Sequence, residues 1–285
     1  MTRNEKRTAL VLGAGGLVGA AWEIGILRGL ADAGTDLADA GLVVGSSAGA
    51  VVGAQLAAGA PGLEELYERQ LSGAAPEPAA RLGLPLVLRY AVAVLTARTP
   101  EAYGRRIGAL ALGARTVGEA ERRETVARRL GQVLDWPARR LLVTAVDAVS
   151  GELVAYGADS GVPLTDAVTA SCAIPGLWPP ATIDGRRWID GGIHSTANAH
   201  LAAGYDRVVV IAPTPQGNKV VLSPARQGAA LAAAGARVEV ITPDAASRKA
   251  FGRNPLDPAL RAAAARAGRA QAARHAVAVA EVWSA

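Results

Sequence analysis

The chain has 285 residues, room for one large domain or two small ones, and its 51% hydrophobic and 19% charged content excludes a disordered polypeptide. A single cysteine, Cys172, excludes an internal disulfide framework and a cysteine-held metal cluster, and 4% aromatic residues argue against stacked-ring binding of single-stranded nucleic acid. Thirty Lys+Arg against 25 Asp+Glu give a net +5, but no basic run of five or more occurs, so the excess reads as dispersed surface arginine.

Arg3, Lys6 and Arg7 precede an apolar stretch from Thr8 to Ala21, superficially like a signal peptide. Gly13, Gly15, Gly16 and Gly19 interrupt it, which points instead to an unprocessed, cytoplasmic protein. Ala9 to Leu12 reads as a buried strand, Val18 to Ala31 as a helix stopped at Gly34, Leu42 to Val44 as a second strand, and Ala50 to Ala58 as a helix halted by Gly59-Ala60-Pro61. Strand and helix alternate here as in an α/β protein with a parallel sheet.

From about 62 to 136 the pattern is helical, over Glu64–Gln70, Leu86–Ala97 and Glu119–Leu130, an insertion that either caps a site or packs on the sheet. The apolar run from Leu82 to Ala97 contains Pro85 and Arg89 and is short for a membrane span. Glu121 to Glu124 with Arg128 and Arg129 reads as a solvated helix face. Leu141–Val146 and Leu153–Tyr156 read as a hairpin, Ala167–Cys172 as a short helix, and Val208–Ile211 and Val238–Ile241 as buried strands. About 257 to 282 reads as one Ala/Arg-rich helix with Gly268 as a kink point, and the absence of repeats and linkers favours a single domain over 1–285.

Three segments can carry chemistry. Gly45-Ser46-Ser47-Ala48-Gly49 stands between a strand and a helix, where a serine on a tight turn projects its hydroxyl and flanking glycines permit close backbone approach. Gly13-Ala14-Gly15-Gly16-Leu17-Val18-Gly19 presents backbone N–H groups at a helix start, suited to a pyrophosphate or to the oxyanion of an acyl-transfer intermediate. Val18 breaks the dinucleotide spacing, although Asp32 or Asp36 lies roughly where a ribose-binding acid would. The third segment, Asp190-Gly191-Gly192, follows Trp188-Ile189 and sets a carboxylate at a strand end; alone it would read as a turn.

In this order the three motifs resemble the patatin-like phospholipase family, and the likeness extends to Ala170–Pro175, Pro179-Pro180, Ile183-Asp184-Gly185 and Asn198. The resemblance implies a three-layer α/β sandwich with a mostly parallel central sheet, and a serine acyl hydrolase that cleaves lipid or small carboxylic esters. Ser47 would attack the carbonyl and Asp190 would take its proton, without a histidine, metal or cofactor. Ala14, Gly15 and Gly16 would stabilise the oxyanion, and Gly45 and Gly49 would flank the elbow. Apart from the resemblance, the net +5 would favour transient contact with an anionic membrane surface, and the 4% aromatic content argues against a nucleic-acid partner. The family's loop usually carries three glycines, any residue, then Lys or Arg, then Gly; here Ala14 and Val18 depart from that pattern, which bears on headgroup recognition. Two alternatives stay open: a Ser47–Asp190–His275 triad, with His194 as a secondary site candidate and His200 without distinguishing context, and a non-catalytic lipid- or nucleotide-binding domain built on the glycine loop.

Overall fold

The computed structural model describes residues 7–72 and 80–283, so Arg3 and Lys6 and residues 73–79 of the expected insertion lie outside the described residues. The chain begins β1 (Thr8–Leu12), α1 (Gly16–Asp32), β2 (Leu42–Gly45) and α2 (Ala48–Ala58). A helical stretch follows: α3 (Leu63–Leu71), α4 (Leu84–Thr96), α5 (Pro100–Leu112) and α6 (Glu119–Leu130). Then come β3 (Leu141–Asp147), β4 (Leu153–Tyr156), α7 (Leu164–Ser171), β5 (Ala181–Ile183), β6 (Arg186–Asp190) and β7 (Arg207–Ile211). The chain closes with α8 (Pro224–Ala233), β8 (Arg237–Ile241), α9 (Ala245–Phe251), α10 (Arg261–Ala272) and α11 (Ala276–Trp283).

The strands form one sheet in the order β5-β6-β3-β2-β1-β7-β8, with β4 also paired to β3. β3, β2, β1, β7 and β8 run parallel, whereas β4, β5 and β6 join antiparallel at one end. Parallel strands buried on both faces need apolar residues at every position, and β1 divides its own between two cores. Leu10 and Leu12 face the core under α1 and α2, while Ala9 and Val11 face the layer that holds Leu231 of α8. The result is the α/β sandwich with helices on both faces and a mostly parallel centre.

The C-terminal segment differs from the single helix expected. Gly268 lies inside α10 and marks a helix crossing, because a Cβ there would sit 2.4 Å from the Trp22 carbonyl oxygen of α1. The break comes after Ala272, where His275 turns its Nδ1 to Glu239 of β8 at 2.8 Å and α11 restarts one residue later. Among the described residues, no helix is long and apolar enough to cross a membrane.

Candidate active site

β1 and β2 are parallel neighbours with Leu12 opposite Gly45, so the loops leaving them rise side by side from the carboxyl edge of the sheet. Strand order also reverses at β1, with β2 on one side and β7 on the other, and open parallel sheets bind ligands at such a point. Ser47 caps α2 with φ 53° and ψ −110°, a left-handed backbone rare for a residue with a side chain. The flanking glycines allow this by their missing side chains. A Cβ on Gly49 would lie 2.1 Å from the Leu12 carbonyl oxygen, and one on Gly45 would lie 2.5 Å from the Gly49 carbonyl oxygen.

Register brings the carboxylate to the serine. Gly45 pairs with Val143 of β3, and Ala145, two residues further along β3, pairs with Asp190 at the end of β6. Asp190 therefore stands about level with the second residue beyond Gly45, which is Ser47. The Ser47 hydroxyl donates to Asp190 Oδ2 at 2.7 Å, and the Gly192 N–H donates to Oδ1 at 2.8 Å. Burial pushes the Asp190 pKa up to about 6, against the opposing pull of the Ser47 and Gly192 hydrogen bonds and of the Arg122 charge.

A buried polar network ties the two loops together. Asn198, itself in a left-handed conformation, donates from Nδ2 to Ser46 Oγ at 2.9 Å and to the Gly191 carbonyl at 3.1 Å. On the other side, the Ser47 N–H donates to Ser171 Oγ at 2.8 Å, and Cys172 lies against the Ser47 carbonyl. These contacts fix the elbow from neighbours distant in sequence.

The glycine loop departs from expectation at Ala14. Its N–H donates to the Thr196 carbonyl at 2.7 Å, which removes it from the donors that could meet a ligand. Gly15 and Gly16 stand at the start of α1, where N–H groups have no intrahelical acceptor, and Ala48 has the same position on α2. Gly16 and Ala48 line the same cavity as Ser47. Val18 is fully buried beside Trp22 in the main core, so the position cannot present a cation to that cavity.

The cavity over Ser47 has a volume of about 400 Å³. Ile24, Val52, Leu66 and Trp178 give it an apolar lining, and Arg69, Arg122, Arg128, Arg129 and Arg261 reach it from α3, α6 and α10. Arg122 corrects the expectation of a wholly solvated helix face. It shares a buried stripe with Val126 and Leu130 at i, i+4 and i+8, its guanidinium lies 4.3 Å above the Trp178 ring centroid, and it donates to the Cys172 carbonyl. The Glu124–Arg128 pair on the same helix is exposed, as expected.

The histidines are engaged elsewhere. His275 bonds Glu239 on β8, His194 bonds Asn198 Oδ1 at 3.1 Å, and the His200 ring lies at a tilt beside His194. Among the described residues, no histidine hydrogen-bonds to Ser47 or Asp190, which removes the triad's third member. The dinucleotide alternative loses its acids as well, since Asp32 pairs with Arg28 and Arg269 and Asp36 accepts from the Ala38 N–H. No group of three or more His, Cys, Asp or Glu side chains gathers at metal-binding reach among the described residues.

Among solved structures, VipD from Legionella pneumophila is similar at 13% identity and a TM-score of 0.49, covering 99% of this chain and 68% of its own. The type III effector protein ExoU is similar at 17% identity and a TM-score of 0.36, with 95% of this chain and 53% of its own covered. No curated protein matches the sequence. The sequence model of the patatin-like phospholipase family matches residues 10–203, which take in the end of β1, both glycine-flanked loops, the helical stretch and Asp190, and the chain therefore belongs to the patatin-like phospholipase family.

Proposed function

We propose that the protein is a serine acyl hydrolase acting on lipid acyl esters through a Ser47–Asp190 dyad. The observation that carries this is the 2.7 Å hydrogen bond from a serine on a strained strand-to-helix turn to a buried carboxylate, at the edge of a cavity with apolar walls and several arginines in its lining. Ser47 Oγ attacks the ester carbonyl carbon as its proton passes to Asp190 Oδ2, and the carbonyl oxygen becomes an oxyanion facing the N–H groups of Gly15, Gly16 and Ala48. Collapse expels the alcohol, which takes the proton back from Asp190, and leaves the acyl group on Ser47. Asp190 then draws a proton from water as its oxygen attacks the acyl carbon, and release of the acid returns the proton to Ser47.

An ordinary aspartate is a weak base at neutral pH. Held near 6, Asp190 is still ionised at pH 7 yet closer to the operating pH, where proton transfer is more effective. The rate should therefore fall on the acid side with a limb near pH 6. Arg122 favours the ionised carboxylate, so Arg122→Gln raises the pKa and moves that limb to higher pH. A kcat/KM profile of both proteins checks the sign, and an unmoved or lowered limb would remove Arg122 from this role.

Labelling with a fluorophosphonate, followed by peptide mapping, tests the dyad directly. One adduct on Ser47 that is absent from Asp190→Asn is expected. No adduct on folded wild-type protein would overturn the hydrolase reading in favour of binding without catalysis.

A further inference from the structure

α4 is apolar on two opposite faces. Leu86, Tyr90, Ala93, Val94 and, just beyond the helix, Ala97 turn inward at helical spacing, and Tyr90 Oη donates to the Pro175 carbonyl at 2.9 Å. On the other side Leu84 and Leu95 are each 71% exposed, with Leu88 and Val92 at 57% and 58% between them. A helix facing only water carries polar residues there. Eight of the twelve exposed large hydrophobic side chains among the described residues fall within 82–117, so this is a concentrated patch, not scatter.

The charge is concentrated in the same segment. Residues 81–118 hold Arg81, Arg89, Arg98, Arg105, Arg106 and Arg115 against Glu101 alone, a net +5. The whole chain is also +5, so the remaining residues balance to zero and the entire excess sits here. Arg89 and Arg106 border the groove formed with Leu88, Val92 and Leu110. Exposed aliphatic side chains flanked by arginines fit a surface that is apolar below and anionic above, where long cationic side chains reach up to the headgroups. A second copy of this chain would set one cationic patch against another, so the complementarity favours lipid.

The helix that carries the patch packs on the cavity wall. The inner face of α4 rests on Pro175, through the Tyr90 hydroxyl, and on Gly176, through Leu86, and the residues on either side of that pair, Ile174 and Trp178, line the cavity. We propose that α4 and its flanking arginines dock the protein on an anionic lipid bilayer and set the Ser47 cavity against the source of its substrate. This rests on the lipid-ester reading above for its purpose, though not for its binding test.

That test uses Ser47→Ala protein, so that no turnover alters the membrane, with vesicles of equimolar phosphatidylglycerol and phosphatidylcholine and vesicles of phosphatidylcholine alone. Co-sedimentation with the anionic vesicles is expected, weaker on neutral ones and in high salt. Adding Leu88→Asp and Val92→Asp should lower the partition coefficient about 100-fold, from lost apolar burial and introduced repulsion. Leu84→Ser with Leu95→Ser reads the same face without new charge, and circular dichroism reports that both variants are folded. Wild-type-like partition of both variants, or no binding to anionic vesicles, overturns the proposal. So does a concentration-dependent dimer that Leu88→Asp/Val92→Asp dissolves, which would make the patch a protein interface. Hydrolysis of a water-soluble butyrate ester by the protein with Ser47 intact separates the two readings. Vesicle binding without such hydrolysis would strike the hydrolase alone, and hydrolysis without vesicle binding would strike the docking face alone.

Discussion

Asp190→Asn is expected to abolish ester hydrolysis and, at neutral pH, to make the protein more stable. The activity loss follows from the proposed role: an amide cannot accept the Ser47 proton, and a positioned base of this kind contributes about 10²–10⁴ in rate. The geometry should survive, because Asn keeps an oxygen for the Gly192 N–H and an amide able to donate to Ser47 Oγ. The stability gain follows from burial. Moving the folded-state pKa from 3.8 to about 6 means that the ionised carboxylate costs at most about 3 kcal/mol of folding free energy, which the neutral amide does not.

The pH dependence gives this a sign that can be checked. Below the ordinary pKa of 3.8 Asp190 is protonated in both folded and unfolded chains, and the substitution should change little. As pH rises towards 6 the unfolded carboxyl ionises freely while the folded one resists, so wild type loses stability relative to the variant. Above pH 6 the difference should be constant, at several degrees in Tm. Melting both proteins from pH 4 to pH 8 tests this, and a variant less stable than wild type at pH 8 would show that Asp190 carries a structural load instead. Function here would be held at the expense of stability, a common condition of buried active-site charges.

β1, β2 and β7 were legible in the sequence as short continuous apolar runs, as in Ala9–Leu12 before Gly13, whereas β8 carries Glu239 in its middle and, expected as a buried strand, is half-exposed over most of its length. β5 was missed, at three residues too short for any periodic signal; its mark is Asp184-Gly185, both with positive φ, the two-residue turn of a tight hairpin. α5 and α8 announce themselves through caps, Thr99 before Pro100 and Ser223 before Pro224, each accepting from an N–H three residues on. Arg122 could have been found from its i, i+4, i+8 stripe with Val126 and Leu130, had its charge not been taken as a sign of exposure. Ala14 could not: the carbonyl that engages its N–H belongs to Thr196, brought near only by the folded loop after β6. The register that sets Asp190 level with Ser47 is likewise long-range, and no local pattern encodes it.

Two glycines four residues apart on α2 should respond very differently to alanine. Gly49→Ala would force a Cβ to 2.1 Å from the Leu12 carbonyl oxygen, backbone against backbone, so α2 and β1 must separate by more than 1 Å to reach ordinary contact. Overpacking of this kind costs about 1–3 kcal/mol or more. The shift also acts on chemistry, because the Gly49 N–H donates to the Gly13 carbonyl at 3.0 Å and so couples the elbow to the glycine loop. Misplacing Ser47 against its oxyanion donors by about 1 Å would lower the rate about 10²-fold. Gly53→Ala brings its Cβ to 3.0 Å from Cγ1 of the buried Val43, side chain and not backbone, so a shift of a few tenths of an ångström is enough to relieve it. There the gain of about 1 kcal/mol for alanine over glycine in a helix offsets the crowding, and near-neutral stability with full labelling is expected. Tm and the rate of fluorophosphonate labelling of Ser47 separate the two variants. Equal labelling of Gly49→Ala and wild type would mean that contact between the elbow and β1 does not set the serine's position, and that Asn198 and Ser171 hold it unaided.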